Sequence, residues 1–128
     1  MAIGDLDGDG DGDLAVANPF SDDVSVLLNN GDGTFAPQVL YGTGSLPTSV
    51  AIGDLNGDGD ADLAVTNQST DNVSVLLNNG DGTFADNLLY GAGNRPVSVA
   101  IGDLDGDGDA DLVVTNLDSD SVSVLLIT

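Results

Sequence analysis

Carboxylates crowd into three nine-residue loops that share one spelling. They read DLDGDGDGD at residues 5–13, DLNGDGDAD at 54–62 and DLDGDGDAD at 103–111, each 49 residues after the one before. Two unit charges about 4 Å apart repel by about 1 kcal/mol even in bulk water, so such crowding calls for a positive partner. The loops offer carboxylate, amide and backbone oxygens and almost nothing else. That donor set suits a hard divalent cation, above all Ca²⁺, which takes about 6–8 oxygen ligands at about 2.3–2.6 Å. Catalysis is a poorer match. It needs a base, a nucleophile or a carboxylate pair in an apolar cleft, yet the chain has no His, Cys or Lys, and the clustered Asp residues are claimed by the cation. The chain is expected not to be an enzyme.

Elements of some kind must hold these loops, and the composition allows them. The chain has 128 residues, 41% of them hydrophobic, which is enough for one domain with a core and argues against a disordered acidic tail. All 22 acidic residues are Asp, set against a single cation, Arg95, for a formal net charge of −21. Nucleic acid and anionic membrane surfaces are therefore excluded as partners, and the apolar runs are too short to insert into a bilayer. Asp in place of Glu suits turns, where the short side chain bonds nearby backbone. Without Cys there are no disulfides, and the redox compartment stays open. Asp-rich calcium loops of modest affinity are filled where Ca²⁺ is millimolar, so an extracellular or cell-surface setting is expected. The start, MAIGDLDGD, has neither the basic nor the apolar region of a signal peptide.

The 49-residue spacing extends well beyond the loops. AIGDLDGDGDGDLAVAN, AIGDLNGDGDADLAVTN and AIGDLDGDGDADLVVTN begin at Ala2, Ala51 and Ala100, and VSVLLNNGDGTFA recurs at Val24 and Val73. Repeats of this length mark blades, solenoids or arrays. Each unit has four short apolar segments separated by turn residues, in the second unit 49–55, 63–67, 73–78 and 84–90. The third and fourth are joined by NNGDGTF, whose Asn-Gly and Asp-Gly steps suit a tight hairpin. The acidic loop joins first to second, and a polar turn such as QSTDN joins second to third. Each unit is thus a four-stranded antiparallel meander. The apolar runs do not alternate strictly, which predicts sheets buried on both faces, and the small Ala and Gly of the first two strands would allow crowding near an axis. The expected fold is all-β, a single repeat domain of β-propeller-type blades at 1–49, 50–98 and 99–128, the last incomplete. A parallel calcium β-roll is set aside because its nonapeptide repeat is far shorter.

In these segments the chain resembles the FG-GAP/VCBS repeat family, the calcium-binding blades of integrin α subunits and of many surface proteins. The resemblance rests on D-x-[D/N]-x-D-G-D-x-D-L followed by an apolar strand, and it covers nearly the whole chain. It implies a calcium ion in the loop between the two inner strands of each blade, and a role in extracellular structure or binding.

Counted from its first Asp, each loop is expected to present ligands at positions one, three, five and nine, with the backbone carbonyl of position seven. This gives Asp5, Asp7, Asp9, Asp11 and Asp13 in the first loop, Asp54, Asn56, Asp58, Asp60 and Asp62 in the second, and Asp103, Asp105, Asp107, Asp109 and Asp111 in the third. About three Ca²⁺ per chain would follow. Gly10, Gly59 and Gly108 stand sixth, where a calcium loop bends sharply. The twelfth position, a bidentate Glu in an EF-hand, is Val16, Val65 or Val114 inside a strand, so these are not EF-hands. Asn56 replaces a carboxylate with a neutral amide and predicts a weaker second site.

Other motifs are weaker. Gly42-Thr43-Gly44 and Gly91-Ala92-Gly93 lack the Lys and following helix of a phosphate loop and read as linkers between blades. Asn67 and Asn72 begin N-glycosylation triplets in a polar turn. Tyr41, Tyr90, Phe35 and Phe84 recur at the repeat period as packing residues, and Arg95 is expected to pair with an Asp. The third unit runs to a third strand at 122–128 without a fourth, and rings need about 4–8 blades. Two bare faces and an apolar VSVLL edge would then invite self-association into a ring or filament, or docking with further blades of a parent protein. A structural or assembly module is the first functional expectation. The alternative is an adhesion propeller that binds a glycan or protein ligand.

Overall fold

Residues 1–127 are described by the computed structural model, and every regular element among them is a β-strand. The first sheet contains β1 (Ala2–Gly4), β2 (Asp13–Asn18), β3 (Asp23–Leu27) and β4 (Val39–Gly42). The second contains β5 (Pro47–Gly53), β6 (Asp62–Asn67), β7 (Asn72–Leu76) and β8 (Leu88–Gly91). The third contains β9 (Pro96–Gly102), β10 (Asp111–Asn116) and β11 (Ser121–Leu125). Strands adjacent in sequence are adjacent in each sheet, and all pairings are antiparallel. The molecule is therefore an open run of propeller-type blades, as the repeat predicts. β5 and β9 begin at Pro47 and Pro96, three residues ahead of the 50 and 99 of the sequence frame.

The fourth strands are shorter than expected. Phe84 makes only an isolated bridge to Asn78, and Phe35 one to Asn29, before residues that leave the ladder: Ala36, Pro37 and Gln38 in the first unit, Ala85, Asp86 and Asn87 in the second. Pro cannot donate to a ladder, and Asp and Asn are poor strand formers. The predicted strand at 122–128 is observed as Ser121–Leu125, and Thr128 lies outside the described residues.

The apolar cores lie between sheets. One joins Leu6, Val24 and Val26 of the first unit to Leu63, Val65, Leu76 and Phe84 of the second. The other joins Leu55, Val73 and Val75 of the second unit to Val99, Leu112 and Val114 of the third. Strand alternation explains the division: within β6, Leu63 and Val65 point one way and Ala64 the other, so this strand is buried along its whole length. Burial on both faces thus holds for β6 and β7 of the middle sheet, whereas its fourth strand, β8, is exposed. The outer sheets depart from the expectation because each has a neighbour on one side only, and Val122 and Val124 of β11 are exposed. Near the axis, β1 packs on β5 and β5 on β9. A Cβ on Gly53 would lie 2.9 Å from Ile101 Cγ2, and one on Gly4 3.1 Å from Ile52 Cγ2, which is why glycine stands there.

Candidate metal loops

Each loop is wound around its first Asp. Asp5 accepts the Gly8 and Gly10 backbone N–H groups at 2.8 and 2.9 Å, one on each carboxylate oxygen. Asp54 does the same with Gly57 and Gly59, and Asp103 with Gly106 and Gly108. These glycines all have positive φ, Gly10, Gly59 and Gly108 between 90° and 94°, where a Cβ is strained. Shorter links follow: Asp7 accepts the Asp9 N–H at 3.2 Å, and Asp9 the Asp11 N–H at 2.8 Å. The loop therefore turns its carboxylates inward.

The ninth residue connects the loop to the sheet. Asp62 has no exposed surface; one of its oxygens accepts the Leu55 N–H at 2.8 Å and the other the Asn78 N–H at 2.9 Å. Asp13 repeats this with Leu6 and Asn29, and Asp111 with Leu104 and Ile127. One buried side chain thus ties the start of the loop to the residue just beyond the third strand.

Surroundings separate three chemically identical positions. Burial between two neighbouring sheets raises the Asp62 carboxyl above the ordinary carboxylate value, outweighing its two backbone donors, and Asp58 and Asp54 add to the rise. At Asp111, in the outermost sheet, the Leu104 and Ile127 N–H groups prevail and the shift is downward. Asp7 is raised by partial loss of hydration, opposed by the Asp9 N–H and reinforced by the Asp13 and Asp9 charges. At Asp105 the Asp107 N–H pulls downward, but loss of hydration and the Asp107 and Asp111 carboxylates carry the net shift upward. Protons and a cation would compete at Asp7, Asp62 and Asp105.

In two loops, carboxylate oxygens from the first, third and ninth positions lie within 4.8 Å of one another: Asp5, Asp7 and Asp13, and Asp103, Asp105 and Asp111. Those triads are spaced and constituted to hold a metal ion, and their all-oxygen donors fit Ca²⁺. A family model of the FG-GAP-like repeat matches the chain twice, over residues 5–65 and 54–114. The chain belongs to the FG-GAP-like repeat family. None of the curated proteins compared with it matches the chain. Each matched window of the FG-GAP-like repeat opens on the first Asp of one acidic loop and closes within the strand that follows the next.

The remaining expected ligands of the FG-GAP-like repeats are arranged less uniformly. Asp9 and Asp107 fall outside the two triads. In the second loop the Asn56 amide donates to Asp58 Oδ2 at 3.0 Å. Asp11 and Asp60, expected to offer backbone carbonyls, turn their carboxylates toward the hairpin, where a Cβ on Gly31 would lie 3.0 Å from Asp11 Oδ2 and one on Gly80 3.1 Å from Asp60 Oδ2.

Two further sets of repeat residues matter structurally and were not singled out by the sequence reading. Asn78 donates to the Leu6 carbonyl of the preceding blade at 2.7 Å and to Ala61 at 2.8 Å, while its oxygen accepts from Gly80 at 2.8 Å. It therefore fastens two acidic loops to one hairpin. At the far end of the blades, Asp22 accepts the Leu46 N–H at 2.9 Å and Asp71 the Arg95 N–H at 2.8 Å, tying each turn to the next linker. Both Asp residues and both partners adopt positive φ. Recurrence at the 49-residue period was the available signal for these positions.

Asn67 opens one of the two glycosylation triplets. Its side chain is buried and its amide nitrogen donates to Asn72 and Ser74, so the folded chain offers no glycan acceptor there. Arg95 pairs with Asp118 at 3.5 Å across exposed surface, a contact worth about 0–1 kcal/mol. Tyr41 and Phe84 meet edge to face, ring centroids 5.3 Å apart, as their recurrence suggested, whereas their repeat equivalents Tyr90 and Phe35 are exposed. One repeat later, Leu55, Val75, Leu77 and Tyr90 line a cavity of about 210 Å³, the counterpart of the seat that Phe84 fills.

Proposed function

We propose that the chain is a calcium-binding extracellular structural module, a single domain of blades 1–49, 50–98 and 99–128 that assembles with copies of itself into a ring or filament, or with further blades of a parent protein. The observation that carries this reading is the double use of the ninth-position carboxylate. Asp13, Asp62 and Asp111 brace loop to sheet through backbone hydrogen bonds, and Asp13 and Asp111 also belong to the two metal-competent triads. An ion held there stiffens the junction between the two inner strands. Its chemistry is electrostatic: three Ca²⁺ reduce the formal charge from −21 to −15 and relieve repulsion within each loop.

Among the described residues no helix is long and apolar enough to cross a membrane, and Asp-rich loops of this kind suit millimolar calcium. The chain has no His, Cys or Lys, and its clustered Asp residues are assigned to the cation, so the role proposed is non-catalytic. Calorimetric titration of chelator-stripped protein tests the reading. It expects one binding event per loop and, at a hundredfold excess over Kd, about 2.7 kcal/mol of added stability. Absence of both binding heat and a thermal shift at millimolar Ca²⁺ would refute it.

Adhesion is the second reading, supported by an open groove of about 490 Å³ where Gln68, Asp71, Asn94 and Asp118 surround the sole cation, Arg95. Binding on a glycan array that is lost in Arg95→Ala would favour it.

A further inference from the structure

We propose that a second copy of this chain docks head to tail, the exposed face of its first blade seating on the exposed face of the third. This inference rests on the self-associating reading above and names the surfaces that carry it. One contact made at both internal junctions and two made at the first have counterparts on the two ends of the stack, each displaced by whole repeats.

The first is a glycine seat. Gly4 receives Ile52 and Gly53 receives Ile101, so closely that a Cβ on either glycine would lie 3.1 or 2.9 Å from the isoleucine. The next seat in the series is Gly102, where a Cβ would meet nothing within 4 Å, and the next isoleucine is Ile3, 67% exposed. The second contact is polar. Asn78 donates to the Leu6 carbonyl of the preceding blade at 2.7 Å; its repeat equivalents at the ends are Asn29 as donor and the Leu104 carbonyl as acceptor. The third is a close packing of hairpin on loop. A Cβ on Gly82 would lie 3.1 Å from Asp7 Cβ and from Leu28, whereas one on the equivalent Gly33 would meet nothing within 4 Å. The counterparts on the third blade are Asp105 and Leu126, the latter 56% exposed.

The ends therefore hold complementary halves of one junction, knob and donor (Ile3, Asn29) on the first blade and seat and acceptor (Gly102, the Leu104 carbonyl) on the third. A head-to-head contact would place Ile3 against Ile3 and leave both Gly102 seats unused. Val122 and Val124, 58% and 56% exposed on the tail face, supply the apolar area that their equivalents Val73 and Val75 bury against the third blade. Charge opposes the contact, since each copy carries −21, so calcium in the loops favours it.

Two variants separate interface from fold. Gly102→Val fills the seat from the tail side, where a Cβ meets nothing in the single chain; Ile3→Asp removes the knob from an already exposed position. Mass by light scattering, at high protein concentration in millimolar Ca²⁺, is expected to show dimers or longer multiples for the parent chain. Either variant alone should weaken association at least about tenfold, with unchanged circular dichroism and, at dilutions where the parent chain is monomeric, an unchanged melting temperature. Mixed together they should form a one-to-one dimer that does not extend, because one retains the head and the other the tail. A parent chain that stays monomeric overturns both the self-association reading and this inference. A parent chain that associates while both variants associate equally well overturns the inference alone.

Discussion

Replacing Asp62 with Ala separates the two duties of the ninth-position carboxylate. The side chain is fully buried and accepts the Leu55 and Asn78 N–H groups at 2.8 and 2.9 Å. Ala leaves both donors without their partner. A buried donor left unpaired costs about 1–3 kcal/mol, so the pair costs about 2–6 kcal/mol, a large share of a typical total of about 5–15 kcal/mol. At about 3–5 °C per kcal/mol for a domain of this size, the melting temperature should fall by at least about 6 °C. The loss requires no ion and must therefore persist in chelator. Asp58→Ala is the control, because Asp58 is exposed and its carboxylate accepts only the Asp60 N–H from the backbone, at 2.9 Å; in chelator it should cost less than about 1 kcal/mol. Asp62→Asn keeps one acceptor and should fall between the two. The assay is thermal unfolding by circular dichroism, with and without chelator. If the Asp62→Ala deficit disappears in chelator, or matches that of Asp58→Ala there, the brace is not structural and its hydrogen bonds do not hold the loop to the sheet.

Asn56→Asp supplies the carboxylate that the second loop lacks and should tighten its calcium binding at least about tenfold by calorimetry; unchanged affinity would show that the third position is not a ligand. The response to pH should change sign with calcium. In chelator the folded-state values of Asp7, Asp62 and Asp105 are raised. A carboxyl raised on folding binds protons more readily when folded, so its contribution is present at low pH and lost as pH rises through the folded value. Acidification from neutrality through the folded-state values of these carboxyls, which lie above the ordinary 3.8, should therefore raise the melting temperature in chelator and lower it in calcium, where protons compete with the ion. Asp32 and Asp81 are lowered by the Thr34 and Thr83 side chains, and Asp111 by backbone donors, so their contributions are lost only below the ordinary value of 3.8. A common slope in both buffers would refute this.

The 49-residue repeat made the strand order, the hairpins and the acidic loops legible, because each unit repeats the same turn residues between the same apolar runs. Burial was less legible. Val122 and Val73 are spelled alike, yet one is exposed and the other buried, since only position in the stack decides whether a sheet covers them. The same reason sets the opposite shifts of Asp62 and Asp111. The fourth strands were overextended because NNGDGTF marks a turn strongly while Pro37 and Asp86, just beyond it, break the ladder. The triplet at Asn67 carries no sign of its burial, which depends on Ser74 and Asn72 across a strand pair. The tie from Asn78 to Leu6 spans 72 residues and has no local signature.

Because apolar cores form where two sheets meet, no unit owns one. Three sheets share two seams, and cohesion scales with the number of seams. Losing either terminal repeat would thus remove one of the two seams, while a lone unit would have nothing to fold against. Lengthening the array adds one seam per unit, and closing it into a circle adds a last seam with no further residues.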